Sequence, residues 1–214
     1  MQRYESFNGD WIFAEGFEES RILSLQQGER VRLPHNAVDL PYNYLDETSY
    51  QQPFTYQKIL RWEDGFEGRE VSLVFDAAMA DSVVWLNGEK VCAHRDGYTP
   101  FEARLTPHLR RGDNLITVKI DGSENPEIPP FGGMIDYLTY AGIYRDVWLK
   151  VTSPVSIANV KIETPNALAE RKTVMAKVFI ANPQGLAFSG TLTARIKRKG
   201  GGDENLWLFR RIAA

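Results

Sequence analysis

The stretch "SVVWLNGEKVCAH", Ser82–His94, decides the fold. Asn87-Gly88 stands between two runs of alternating apolar residues. A two-residue type I′ turn needs positive φ at both central positions, and Asn-Gly supplies that at low steric cost. The pair predicts a β-hairpin with Leu86 opposite Glu89, Trp85 opposite Lys90, Val84 opposite Val91 and Val83 opposite Cys92. Successive strand side chains point to opposite faces. Val84, Leu86 and Val91 therefore share one face, and Val83, Trp85 and Cys92 the other. Cys92 is in this reading a small strand residue rather than a reactive thiol.

Working outward, the same signals recur. Alternating apolar and β-branched runs bounded by Gly, Pro, Asn and Asp predict strands at Trp11–Phe13, Arg30–Leu33, Phe54–Trp62, Glu70–Asp76, Phe101–Arg104, Asn114–Asp121 and Tyr144–Val151. In "NLITVKID" the apolar face is Ile116, Val118 and Ile120. No long segment carries a helical period; only a short helical turn is expected near Leu105–Leu109. Many short strands with turn signals at modest spacing give an all-β chain built on a jelly-roll β-sandwich. After Val151 the texture changes at Thr152-Ser153-Pro154. Val155–Glu163, Thr173–Ala181 and Gly190–Arg198 predict strands of a second β unit, and the tail "GGGDENLWLFRRIAA" shows no strand pattern. The expected division is residues 1–152 and 153–214.

The chain has 214 residues, 43% of them hydrophobic, enough for a sizeable core. A net charge of −3 argues against nucleic acid as the main partner, because phosphate neutralisation needs a basic face. The single cysteine excludes an intramolecular disulfide. No segment approaches membrane-spanning length, and "MQRYESFNGDW" lacks the apolar centre of a signal peptide. A cytoplasmic location and no membrane partner are therefore expected.

No dense catalytic constellation is present. His35, His94 and His108 lack metal-ligand spacing, and no element's geometry fixes a carboxylate pair of the glycosidase kind. The informative stretch is "IDYLTYAGIYRDVWL", Ile135–Leu149, at the end of the Pro- and Gly-rich run "DGSENPEIPPFGGM". Long structureless loops in compact domains are often functional. Asp136 is either a loop acid capping backbone N–H groups or a carboxylate placed to touch a ligand. Tyr137 and Tyr140 set flat faces and hydroxyls beside it, the mixture that suits sugar recognition. Phe131 could extend that surface; Trp62 is better placed as core.

Four motifs carry a family resemblance: "FNGDWIF", "LPH" at 33–35, "VVWLNGEKVCAHRDGYTPFEARLT", and "AGIYRDVWL". In this order and spacing they resemble glycoside hydrolase family 2, the β-galactosidases, β-glucuronidases and β-mannosidases. The resemblance spans about residues 1–151 and implies that family's jelly-roll sugar-binding domain. From about residue 153 the chain is similar to the start of the family's immunoglobulin-like second domain, here incomplete. The resemblance further implies that the catalytic glutamates belong to a TIM barrel this chain does not contain. No catalytic residue is assigned. In β-galactosidase-like members the acid seven residues before the Ile of "G-I-(F/Y)-R-D-V" lies near the sugar and a metal ion. Counting back from Ile143 gives Asp136, a substrate and metal contact by resemblance, with Tyr137 and Tyr140 as substrate contacts. No cofactor is required by the chain itself; a monovalent or divalent ion belongs to the complete enzyme.

The first functional expectation is thus the non-catalytic portion of a retaining β-glycosidase, partnered by carbohydrate and by the catalytic barrel. An autonomous carbohydrate-binding module is the alternative. A scaffold is the third reading, forming a homo-oligomer through the unpaired strand edges of an incomplete sandwich.

Overall fold

The computed structural model describes residues 2–39, 43, 46–129, 131, 139–197 and 205–213. They form strands joined by loops and short 3-10 turns, and they divide into two compact units, Met1–Thr152 and Ser153–Ala214.

The first unit is a sandwich of two antiparallel sheets. Its strands are β1 (Arg3–Ser6), β2 (Trp11–Glu15), β3 (Glu29–Val31), β4 (Pro53–Arg61), β5 (Glu70–Phe75), β6 (Asp81–Leu86), β7 (Glu89–Arg95), β8 (Phe101–Arg104), β9 (Asp113–Asp121) and β10 (Val147–Thr152). One sheet has the order β1-β10-β5-β8, the other β3-β2-β4-β9-β6-β7. Sequence neighbours are often separated in space, as a jelly roll requires.

Alternation explains the core. Phe54, Tyr56 and Leu60 of β4 point inward with Ile116, Val118 and Ile120 of β9 and Val84 and Leu86 of β6. They meet Val71, Leu73 and Phe75 of β5 and Val147, Leu149 and Val151 of β10. Full burial of one such side chain contributes about 1.5–3 kcal/mol. Phe75 and Phe101 stack with centroids 4.6 Å apart, and His94 stacks on Phe101 at the same spacing. Trp62 is half-buried against Phe66, edge to face, with the Arg111 guanidinium over its ring, which gives it a packing role.

The hairpin of β6 and β7 has the expected turn, with Asn87 at φ 53° and Gly88 at φ 93°. Its register is as read for Leu86–Glu89 and Trp85–Lys90, and then slips. Val84 faces Cys92 and Val83 faces Ala93, so Val91 is the extra residue of a β-bulge. Cys92 consequently packs against the core instead of sharing a face with Trp85. Burial raises its thiol pKa.

On the other face of the larger sheet, the chain between β2 and β3 covers Gln57 and Thr117. Gln57 donates to the Arg21 and Ser24 carbonyls, and Thr117 to the Arg21 carbonyl. A buried amide and hydroxyl are satisfied in this way, which avoids the cost of unpaired polar groups.

The second unit contains two antiparallel pairs, β11 (Ser156–Glu163) with β12 (Met175–Ala181) and β13 (Ser189–Lys197) with β14 (Asn205–Ala213). β14 corrects the reading of the tail as patternless: it pairs with β13 over nine positions. Leu206-Trp207-Leu208-Phe209 is a continuous apolar run, which has no period to reveal a strand. Among the described residues no helix is long and apolar enough to cross a membrane.

Candidate functional site

The Asp121–Tyr140 loop leaves the end of β9 and returns towards β10 through Ala141–Ile143. Its outgoing limb is held by the Gly122 N–H donating to the Gln52 carbonyl (3.1 Å) and the Ala80 N–H donating to the Asp121 carbonyl (3.2 Å). The returning limb is held on both sides. Met79 and Gly142 exchange two backbone hydrogen bonds of 3.0 and 3.3 Å. The His35 and Ala37 N–H groups donate to the Ile143 and Ala141 carbonyls at 2.9 and 2.8 Å.

Glycine is required at two points of this neck. A Cβ on Gly122 would lie 2.3 Å from the Tyr50 carbonyl oxygen and 2.6 Å from the Ala141 Cβ, so the two limbs meet here. A Cβ on Gly142 would lie 2.6 Å from the Tyr56 hydroxyl, and Gly142 has φ +113°.

Behind the neck sits a polar pair, a buried Tyr56 and a half-buried His35. The Tyr56 hydroxyl and His35 Nδ1 are 2.9 Å apart, and the His35 ring packs on Phe13 at 4.8 Å. Burial lowers the His35 pKa, against the charges of Glu29 and Asp39 that raise it. Burial also drives the Tyr56 phenol far above its ordinary range, opposed by the backbone N–H of Ile143. Both shifts favour the neutral form, which suits a hydrogen-bonded pair partly withdrawn from water.

The loop body folds back on its own backbone. The Ser123 N–H donates to Asp121 Oδ1, the Glu127 N–H to Asn125 Oδ1, the Ile128 N–H to the Asn125 carbonyl and the Phe131 N–H to the Ile128 carbonyl. Burial raises the Asp121 pKa, but the bonds from Ser123 and the ion pair with Lys119 (3.2 Å) outweigh it, and the net shift is downward. Ile128 is buried with Met79 and Ala80, against Tyr98 and Tyr144. A small recess opens between Met79–Ala80 and the loop, lined also by Gly122, Asn125, Pro129 and Thr139. Pro129 and Thr139 thus stand at one opening, although ten positions separate them in sequence.

Of the residues read from the sequence, Tyr140 lies on the returning limb, 43% exposed, at φ +59°. Asp136 and Tyr137 lie outside the described residues. Phe131 is 52% exposed at φ +68°. Arg145 and Asp146 hold neighbouring loops: Arg145 donates to the Tyr98 carbonyl and Asp146 accepts from the Asn8 amide. No group of three or more His, Cys, Asp or Glu side chains that could hold a metal ion occurs among the described residues. The recess is lined by Ser123, Glu124, Asn125 and Thr139 beside apolar residues, and the exposed Phe131 and Tyr140 are not among its lining residues. Sequence reasoning missed the Tyr56–His35 pair, whose members are 21 positions apart. The "LPH" motif was the one available signal.

Comparison with known proteins follows the same outline. The family profile described as glycosyl hydrolases family 2, sugar binding domain, matches residues 35–154. The chain is 53% identical to a β-galactosidase of Rhizobium meliloti over 202 residues, covering 94% of this chain and 26% of the relative. It is 37% identical to a β-galactosidase of Thermoanaerobacterium thermosulfurigenes over 186 residues, 85% of this chain and 26% of that one. Bacteroides uniformis β-glucuronidase 2 shares the fold over all of this chain and 26% of its own, with a TM-score of 0.84 at 24% identity. The chain therefore spans about a quarter of the length of the relatives it matches.

Proposed function

We propose, from the fact that this chain belongs to glycosyl hydrolase family 2 through its sugar-binding domain, that it is the non-catalytic portion of a β-galactosidase-like enzyme. The whole enzyme hydrolyses terminal β-glycosides with retention, using two carboxylates in a catalytic barrel. This chain supplies a rigid wall for that barrel and lends the Asp121–Tyr140 loop to the mouth of its active site. Asp136, Tyr137 and Tyr140 are the proposed sugar contacts. Asp136 also faces a metal ion in the complete enzyme. The division at Thr152/Ser153 corresponds, in this reading, to a sugar-binding domain followed by part of an immunoglobulin-like domain. The setting is the cytoplasm.

The observation that carries the proposal is the neck. A loop clamped at Gly122, Ala141 and Gly142 by backbone bonds to three separate segments is a loop held for presentation. Loops positioned by a rigid scaffold commonly carry binding function.

The test is complementation. The remaining length of the Rhizobium meliloti relative is produced as a separate polypeptide and assayed on a nitrophenyl β-galactoside with and without this chain. The chain alone is expected to be inactive, and the mixture to exceed the remainder alone. Turnover by the purified chain, scaling with its concentration, would overturn the reading.

Self-association is a second reading, supported by Ile157, Val160, Ile162 and Ile196, which stand exposed in the second unit. Large exposed apolar surface favours association. Sedimentation at rising concentration is expected to show dimer; a monomer throughout would remove it.

A further inference from the structure

Asn87-Gly88 forms the β6–β7 turn, and an asparagine followed by glycine is also the pairing most open to deamidation, because no side chain shields the glycine nitrogen. That nitrogen attacks the asparagine Cγ, expels the side-chain nitrogen as ammonia and closes a succinimide ring. Water then opens the ring at either carbonyl and leaves an aspartate or an isoaspartate. The balance is one water consumed and one ammonia released. The chain has two such pairs, Asn8-Gly9 and Asn87-Gly88.

In the folded chain the Asn87 amide is fully engaged. Its Nδ2 donates to the His108 carbonyl at 3.0 Å and to Asn114 Oδ1 at 2.9 Å, and its Oδ1 accepts from the Leu115 N–H at 3.0 Å. The Asn87 N–H donates to the Leu115 carbonyl at 2.8 Å. These partners stand in the connection between β8 and β9 and at the start of β9. Ring closure turns Cγ onto the Gly88 nitrogen and releases Nδ2, so it breaks this clasp before it can proceed.

Asn114 fixes the far side. It is fully buried. Its Nδ2 donates to the Leu60, Arg110 and Gly112 carbonyls, and its Oδ1 accepts from the Arg110 N–H as well as from Asn87. The backbone settles which end of each amide is oxygen, since the Arg110 N–H only donates and the His108 carbonyl only accepts. An aspartate at position 87 therefore turns a carboxylate oxygen towards two acceptors, the His108 carbonyl and Asn114 Oδ1. Asn114 cannot rotate to meet it without losing its own bonds, and unmatched buried polar groups are costly. Asn8 is tied to a different part of the sandwich. It is 5% exposed, donates to Asp146 Oδ1 and accepts from the Val147 N–H.

We propose that Asn87 is a conditional deamidation site. The Asn114 clasp withholds the reaction in the folded sandwich, opening of the β8–β9 connection releases it, and the clasp cannot re-form on the product. The turn thus carries an irreversible covalent record of having opened. The inference stands apart from the functional reading above.

The experiment incubates the full chain in mildly alkaline buffer, folded or in guanidinium chloride, and follows both pairs by peptide mass spectrometry with isoaspartate detection. Folded wild type should convert Asn87 about tenfold or more slowly than the unfolded chain, because reaction waits for the open fraction. Asn114→Ala should speed conversion at Asn87 several-fold and leave Asn8 unchanged, Asn8 being the gauge of general unfolding. Asn87→Asp reproduces the product and should lower the Tm by about 3–6 °C. That deficit relative to wild type should shrink below about pH 4, where the protonated carboxyl can donate. Folded wild type converting Asn87 as fast as the unfolded chain, or Asn87→Asp melting with wild type, would each overturn the proposal, and both are read even if Asn114→Ala does not fold. In folded Asn114→Ala, an unchanged rate at Asn87, or a rise matched at Asn8, would overturn it too, by showing that protection comes from the fold as a whole.

Discussion

The two units of this chain have the same secondary structure and opposite relations to water. In the first, two sheets close over a shared apolar interior, and Trp11, Phe54 and Phe75 are fully buried. In the second, β11 and β12 set Val160 opposite Val178 and Ile162 opposite Ala176, a one-sided apolar face with Ile162 65% exposed. Backbone pairing alone does not make a stable sheet; an isolated two-stranded hairpin is marginal in water. The contrast locates the packed core in the first unit, which also clamps the Asp121–Tyr140 loop at its neck.

The sharpest way to test that contrast is to empty the core. Phe75→Ala should cost about 3–5 kcal/mol in chemical denaturation of the first unit. A cost below about 1 kcal/mol would mean that the two sheets do not share a packed interior.

Next in size is the neck. Gly142→Ala forces a side chain into positive φ and against the Tyr56 hydroxyl, and should cost about 2–3 kcal/mol. The same denaturation curve measures it. A neutral outcome would show that the returning limb can leave the sandwich freely.

A smaller effect comes from Lys58, whose ammonium lies on the core side of β4. It donates to the Phe7 and Gly9 carbonyls at 3.0 and 2.7 Å and sits 3.6 Å from the Phe7 ring centroid. Burial lowers its pKa from 10.5 to about 8. Below about 8 both folded and unfolded chains carry the proton, and the folded state bears the full desolvation penalty. Between about 8 and 10.5 the unfolded chain binds more protons, so stability rises with pH. Measured against Lys58→Met, wild type should gain stability across that window. A flat or falling difference would mean that the two carbonyls and the ring outweigh desolvation.

The smallest change is expected in the second unit. Ile162→Ser should alter the stability of the isolated chain by no more than about 0.5 kcal/mol, as for exposed positions generally. A larger loss, seen by urea titration, would reveal a partner for that face.

Much of the first unit could be read from residue order because its strands alternate cleanly and their turns are chemically marked. β1 could not: Arg-Tyr-Glu-Ser is short, polar and largely exposed, and becomes a strand only by pairing with β10. The bulge at Val91 was invisible for a related reason, since a one-residue slip is decided by what both faces pack against. At the site, composition singled out this loop and Tyr140, whereas the conformation of Tyr140 runs against the local preference of its residue type. The residues that follow Tyr140 are held by distant clamps, Ala141 by Ala37 and Gly142 by Met79, and those pairings appear only in three dimensions.

Native-state hydrogen exchange across the chain tests the central claim, that the neck of the loop is part of the rigid sandwich. The amides of Ala37, Met79, Gly122 and Gly142 should exchange at the slow rate of β4 and β9, through global unfolding of the first unit. Those of β11 and β12 should exchange orders of magnitude faster. Neck amides exchanging as fast as the hairpins, with β4 and β9 still protected, would contradict the account.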